Sequence, residues 1–307
     1  MVEILLAVYN GEKYLKQQID SIINQSYENW KLLIFDDGSN DATEKIVSEY
    51  VKQMPNKIFY EKSLTNSKSA VYSFAHLLNL SKEKYVAFCD HDDVWIEDKL
   101  KISVNAIKRL EKEFFNEAIL VYTDLFVVDE NLKLIKKSMM KSQKLKLKEK
   151  PLNRLLVQNN VTGCTMLFNR QLINICGKIP KSAVMHDWWL SLVAAAFGKT
   201  KFLNVKTVHY RQHSNNQIGF KKVGSLKYIA QRLKNKSLVK KSIELTYQQA
   251  ENFLRIYEKK LKKEHIDVLK EYLKLKDYCK FKRIFKMFLG GFLKDGILRK
   301  LGQVFYI

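Results

Sequence analysis

Residues 85–95 read Tyr-Val-Ala-Phe-Cys-Asp-His-Asp-Asp-Val-Trp. The apolar run Tyr85 to Cys89 has the length and character of a buried strand, and Asp90, Asp92 and Asp93 follow it at once. The same form recurs upstream. Ile4 to Val8 makes a first strand, Leu15, Ile19, Ile22 and Ile23 recur at helical spacing, and Leu32 to Phe35 runs as a second strand into Asp36 and Asp37. Asp41, with Glu44 three residues on, predicts a capped helix whose buried stripe is Ile46, Val47, Tyr50 and Val51. Ile58 to Tyr60 reads as a third strand, and Val71, Phe74, Ala75 and Leu78 as a helix face. Strands alternating with amphipathic helices predict an α/β fold with a mostly parallel sheet. Such sheets bind ligands beyond the carboxyl ends of their strands, where the acids of this chain are concentrated.

The 307 residues suffice for one large α/β domain with an appendage, and 46% hydrophobic residues can fill its core. Three prolines and eleven glycines argue against collagen-like or low-complexity architectures. Lys and Arg outnumber Asp and Glu by 54 to 32, a net charge of +22 that favours phosphates, nucleotides or anionic lipid as partners. Cys89, Cys164, Cys176 and Cys279 are scattered without a C-x-x-C pair, which suggests neither a zinc cluster nor a disulfide framework and fits a reducing cytosol. No secretory leader is visible, and no apolar stretch reaches the length of a membrane span.

Downstream, Lys133 to Lys150 carries eight lysines against the single acid Glu149, which predicts a mobile basic loop or lid. Val161 to Phe168 returns to strand character, Asp187 to Phe197 is helical, and Lys201 to Tyr210 is extended before a polar stretch, Arg211 to Asn216. Composition shifts near residue 220, giving a division into 1–220 and 221–307. The second part holds 23 Lys and Arg against 8 Asp and Glu. Within it Ile243, Tyr247, Ala250, Leu254, Tyr257 and Leu261 form a narrow helical seam, which could pair with a partner as readily as with its own domain. Phe281, Ile284, Phe285, Phe288, Leu289 and Phe292 form an aromatic stripe flanked by Lys280, Lys282, Arg283 and Lys286; it either lies flat on anionic lipid or packs onto the rest of the chain.

Four clusters carry candidate chemistry. Asp36-Asp37-Gly38-Ser39 lies on a strand-to-helix turn, where a carboxylate can meet a base or ribose and where the same residues also serve as a plain turn. Asp90-His91-Asp92-Asp93 crowds three carboxylates, an arrangement that a divalent cation neutralises and whose oxygen donors suit Mg2+ or Mn2+ on a diphosphate. His91 reads as an orienting or packing residue. His186-Asp187-Trp188-Trp189 opens a helix: its aspartate is first of all an N-cap, yet flanking tryptophans could raise its pKa and offer a stacking face to a sugar, making Asp187 a general-base candidate. Tyr210 to Asn216 concentrates donors, with Arg211 and His213 suited to a leaving diphosphate.

In this order the clusters, together with Ala7-Val8-Tyr9-Asn10, Leu15, Gln18 and Thr162-Gly163-Cys164-Thr165, resemble the family 2 glycosyltransferases over about residues 3–219, and especially their bacterial rhamnosyltransferase-like branch. The resemblance implies a single Rossmann-like domain of the GT-A type with a mixed, mostly parallel sheet. It implies that Ala7, Tyr9 and Asp36 or Asp37 recognise the nucleotide, with Asp90 nearby. Asp90 and Asp92 would hold Mn2+ or Mg2+, with His213 a further contact, and Asp187 would be the inverting base. His91 stands where that branch usually carries glutamine. The implied donor is a nucleotide-diphospho-sugar, rhamnose on deoxythymidine diphosphate first and uridine diphosphate hexoses second. The implied acceptor is a growing surface glycan on polyprenyl diphosphate, with the enzyme peripheral on the cytoplasmic face of the membrane.

Two other classes are weaker. A nucleic-acid binder would use the charge of +22 but leaves the strand-end carboxylates without a purpose, so no nucleic acid is expected. A nucleotidyltransferase would want a glycine-rich, arginine-bearing loop after the first strand, where Asn10-Gly11-Glu12-Lys13 has one glycine.

Overall fold

Nine strands form one mixed sheet in a computed structural model that describes residues 1–67, 69–213 and 235–306. The strands are β1 (Val2–Val8), β2 (Trp30–Asp36), β3 (Ile58–Lys62), β4 (Tyr85–Asp90), β5 (Val94–Trp95), β6 (Ala118–Val128), β7 (Leu134–Lys136), β8 (Met166–Asn169) and β9 (Gly198–Arg211). Their order is β3-β2-β1-β4-β8-β6-β9-β5, with β7 on β6. β3, β2, β1, β4, β6 and β9 run one way and β5, β7 and β8 the other.

The helices are α1 (Leu15–Ile23), α2 (Thr43–Gln53), α3 (Ala70–Leu80), α4 (Lys99–Glu113), α5 (Met139–Ser142), α6 (Leu152–Val157), α7 (Arg170–Cys176), α8 (His186–Phe197), α9 (Lys236–Tyr257), α10 (Lys263–Lys274), α11 (Lys280–Leu289) and α12 (Ile297–Tyr306). None is long and apolar enough to cross a membrane.

The central strand shows how the sequence sets the layers. Because side chains alternate across a strand, Leu5 enters a core with Phe74, Phe88 and Trp189, while Ile4 and Leu6 enter a second core with Ile19, Trp30 and Val104 on the opposite face. Register then places the acids. Asp36 pairs in the ladder with Val8 and Asp90 with Ala7, so β1, β2 and β4 end at one edge of the sheet. From the other side, β5 pairs Val94 with His209 on β9, which carries Arg211 and His213 toward Asp92.

Four expectations change. Asp41 does not cap α2: the cap position is Ala42, and Asp41 takes the N–H of Thr43 and that of Glu12 while Glu44 pairs with Lys62. Of the stretch 161–168 only the last three residues are strand, within Met166–Asn169, because Gly163–Thr165 forms a 3-10 turn. The basic stretch 133–150 is not a loose lid; it holds β7 and α5, buries Met140 and ends in Lys150, which is buried against Asp295. The seam of α9 packs on its own chain, with Tyr247, Ala250, Phe253 and Tyr257 in the same core as Trp189. The boundary at 220/221, and the part of the polar stretch formed by Ser214, Asn215 and Asn216, lie outside the described residues.

Candidate active site

A cavity of about 1870 Å³ opens at the carboxyl edge of β1, β2 and β4 and extends to α12. Of the residues singled out from sequence, Ala7, Tyr9, Asp37, Asp90, Asp92, Asp187, Trp188 and His213 line it. Residues 187 and 90, far apart in the chain, thus share one chamber.

Two adjacent acids at the end of β2 divide the work. Asp36 is fully buried: its Oδ1 accepts from Ser39 N at 2.7 Å and its Oδ2 from the Tyr60 hydroxyl at 2.8 Å. Asp37 faces the cavity, steadied by Ser67, whose N–H and hydroxyl donate to its two oxygens at 2.9 and 2.8 Å. The alternative left open between Asp36 and Asp37 therefore favours Asp37 as the residue within reach of a nucleotide. Gly38 adopts φ +79°, a left-handed conformation that glycine enters without strain, and this turns the chain between them and α2.

The acidic loop after β4 is crowded and shielded. Burial, then the charges of Asp92 and Asp187, push the Asp90 carboxyl up to about 7. Asp93 is pushed well up by burial and by Asp92 and Asp90. Burial opposes ionisation of Asp92 too, but the bond from His213 and the charges of His91 and His213 outweigh it and hold its pKa below the ordinary value. His213 Nε2 lies 2.8 Å from Asp92 Oδ2, and the His213 ring sits against Tyr14, centroids 4.9 Å apart.

The donor set suits a divalent cation. Ligand atoms of Asp90, Asp93 and Cys164 lie within 4.8 Å of one another, and Asp93 Oδ2 is buried with no hydrogen-bond partner among the described residues. Burial and the neighbouring Asp93 and Asp90 push the Cys164 thiol far up, so it stays protonated and the carboxylates are the available hard donors. Sequence reasoning assigned no chemistry to Cys164.

Asp187 stands in the first turn of α8, beyond the cap position Met185. Its Oδ2 accepts from Gly163 N at 3.0 Å and its Oδ1 from Asn159 Nδ2 at 3.2 Å. A Cβ on Gly163 would meet His186 Nε2 at 3.1 Å and Asp187 Cβ at 3.5 Å, so glycine permits this close approach. Burial pushes the Asp187 carboxyl up to about 7, against the pull of the backbone N–H groups around it. Beside it, the His186 ring stacks on Phe74 with centroids 4.0 Å apart; burial takes its pKa down to about 3, and the ring is neutral. Asn159 and His186 lie on this cavity and drew no role from sequence. His186 belongs to one quoted tetrapeptide and Asn159 lies three residues before another, and sequence offers no further signal for either.

Two expectations about the site are corrected. Trp189 offers no face to a sugar, because it is fully buried against Phe253 and Tyr257; Trp188 alone reaches the cavity, its indole N–H donating to Leu155 O at 2.7 Å. Arg211 does not aim at a diphosphate. Its guanidinium is buried under the Tyr14 ring and donates to Asp92 O at 2.8 Å, Gln17 Oε1 at 2.6 Å and Glu130 O, bracing the acidic loop from behind.

Comparison with known proteins bears on the family and the fold. The chain is similar to an uncharacterized glycosyltransferase of Rickettsia typhi, 27% identical over 215 residues, which covers 68% of this chain and 61% of that protein. It is also similar to the dTDP-rhamnosyl transferase RfbG of Shigella flexneri, 25% identical over 70% of this chain and 73% of RfbG. The chain therefore spans less than two thirds of the first of these relatives. In fold it resembles a crystal structure of S. aureus TarS residues 1–349 with UDP, at a TM-score of 0.58 and 15% identity, over 91% of this chain and 73% of the TarS chain. The sheet order and this likeness are those of the GT-A fold. The profile of "Glycosyl transferase family 2" matches residues 3–175, more than half of the sequence, and the chain belongs to that family.

Proposed function

We propose that the chain transfers a sugar, with inversion, from a nucleotide-diphospho-sugar to a hydroxyl of a growing cell-surface glycan carried on polyprenyl diphosphate. The observation that carries this reading is the position of Asp187, a half-buried carboxylate, on the same cavity as Asp90 and Asp92; desolvation raises its pKa to about 7. A base with a pKa near the working pH combines sufficient ionisation with a useful driving force for proton transfer.

Gly163 and Asn159 hold the carboxylate, which lines the chamber. Asp187 takes the acceptor hydroxyl proton as that oxygen bonds to the anomeric carbon, and the bond from that carbon to the nucleoside diphosphate breaks on the opposite side. A single displacement inverts the centre through a transition state of oxocarbenium character. Asp37, Tyr9 and Ala7, which line the cavity, would meet the nucleotide, and Trp188 would border the sugar. Asp90 and Asp92, with Asp93 beside them and His213 on Asp92, would hold Mn2+ or Mg2+, which when bound neutralises charge on the leaving diphosphate. Arg211 acts through others: it fixes the backbone carbonyl of Asp92 and so positions the acid that His213 contacts.

For the donor we favour deoxythymidine diphosphate rhamnose, supported by the resemblance to the rhamnosyltransferase branch and by the name of RfbG, with uridine diphosphate hexoses second. A thermal-shift screen of nucleotide sugars with manganese, followed by anomeric analysis of the product, tests the reading. Stabilisation by one sugar nucleotide and an inverted product are expected; retention of configuration would remove Asp187 from its role.

A further inference from the structure

Helices α11 and α12 present their apolar faces to solvent. On α11, Phe281, Phe285, Phe288 and Leu289 follow a spacing of four, three and one, and Phe281 and Leu289 are 87% and 71% exposed. On α12, Ile297, Leu298, Leu301 and Phe305 share one face, with Ile297 77% exposed. The two helices touch: Lys280 Nζ donates to Phe305 O at 3.3 Å and lies 5.7 Å from the Phe305 ring centroid. Eight large apolar side chains on two touching helices are thus left exposed, a concentration that marks an interaction surface.

The surroundings of this surface are cationic. Lys280, Lys282, Arg283, Lys286, Lys294, Arg299 and Lys300 fall within 280–306, and the single acid there, Asp295, is buried between Lys150 and Arg154. A face of phenylalanine and leucine rimmed by lysine and arginine matches a bilayer whose headgroups are anionic. The platform is also tied to the rest of the fold, by Asn153 Nδ2 donating to Gly290 O at 2.7 Å and by the Asp295 pairs. α12 borders the chamber that holds Asp187, at Arg299, Gly302 and Tyr306 and also at Leu298, Leu301 and Phe305 of its apolar face, so that face continues into the cavity mouth.

We propose that the α11–α12 face seats on an anionic lipid surface and sets the α12 rim of the cavity against the bilayer, where a lipid-borne acceptor hydroxyl can enter without leaving the membrane. The second clause rests on the transfer reading above; the first stands without it.

The test is co-sedimentation of the full chain with vesicles of phosphatidylcholine alone and of phosphatidylcholine with phosphatidylglycerol. Binding to the anionic vesicles at least tenfold tighter than to neutral ones is expected. Combined Phe281→Ser, Phe285→Ser and Leu289→Ser should abolish it, and combined Lys282→Glu and Lys300→Glu should remove the preference for anionic lipid. Thermal melting and manganese-dependent donor binding, read without vesicles, should match the parent in both variants; if donor binding is absent even in the parent, the transfer reading fails while vesicle binding still judges the surface. Absence of vesicle binding, equal binding to both compositions, or unchanged binding of the serine variant would overturn the proposal. So would a concentration-dependent dimer, seen by sedimentation velocity without lipid binding and lost in the serine variant, since that assigns the face to a second copy of the chain. If the serine variant melts early, Ile297→Ser alone supplies the same reading.

Discussion

Gly163 and Asp187 are joined by a backbone hydrogen bond of 3.0 Å from the glycine N–H to Oδ2 of the carboxylate. The bond links a turn before β8 to the first turn of α8, and it sets which way the acid faces in the cavity.

If that acid is the base, Asp187→Asn keeps its shape and its bond to Gly163 but cannot take a proton. We expect turnover to fall by about 100- to 10,000-fold while donor affinity stays within threefold, read by initial rates and calorimetry. Turnover within tenfold of the parent would show that another group does the chemistry.

The pH profile should carry the same signature. With a folded pKa near 7, turnover should rise through neutrality and level off above it, dropping about tenfold per unit on the acid side. The sign for stability is opposite. The raised pKa means that the folded chain binds this proton more tightly than the unfolded chain, so the contribution is greatest at low pH and is lost as pH rises through about 7. Asp187→Asn should therefore melt at a higher temperature than the parent at pH 8, and the gap should close at pH 4.

For the acidic loop, Asp92→Ala should abolish manganese-dependent donor binding in calorimetry, because it removes a carboxylate held ionised by His213. Unchanged binding would take Asp92 out of the cation site. Arg211→Lys offers a sharper companion. A point charge cannot replace a guanidinium shared among Asp92, Glu130 and Gln17, so cation affinity should weaken although residue 211 does not line the cavity.

Asp295 is the anchor of the C-terminal helices. Burial disfavours its charge, but Lys150, the Lys146 N–H and Arg154 together outweigh that and hold its pKa below the ordinary carboxylate value; burial takes Lys150 down to about 8. The ion pair thus stands between the low pKa of Asp295 and about pH 8. Its contribution from Asp295 is present above the usual carboxylate pKa and lost as pH falls through the folded value. Asp295→Ala strands Lys150 in the core and should cost about 3–5 kcal/mol in urea unfolding near pH 7.

Trp189→Ala should cost about 3–5 kcal/mol by opening a core cavity, whereas Trp188→Ala should leave most of the stability and act on the sugar's affinity. Urea titration and donor KM separate the two.

What the sequence made legible was local. The continuous apolar run Ile4–Val8 and the acids behind β2 and β4 carry their own signals, since a buried-strand run and strand-end chemistry need only neighbours. Residues whose role depends on distant partners were not legible. Trp188 and Trp189 are adjacent on one helix, and which of them is buried is settled by Phe253 and Tyr257 arriving on α9. Asp36 and Asp37 look equivalent until the Tyr60 hydroxyl claims the first. Arg211 reads as a free cation because Gln17 and Glu130 lie far from it in sequence. The stretch 161–168 has strand composition, but the Gly163 N–H is spent on Asp187 and the chain turns there instead.

The packing of α9 against Trp189 has a practical corollary. Tyr247, Phe253, Tyr257 and Phe292 complete the apolar interior on one side of the sheet. A polypeptide cut near residue 220, where charge alone would invite the scissors, would present that interior to water and leave Lys150 without its counter-ion. The basic tail is a wall of the fold, and shortening it should yield aggregates rather than a smaller soluble protein.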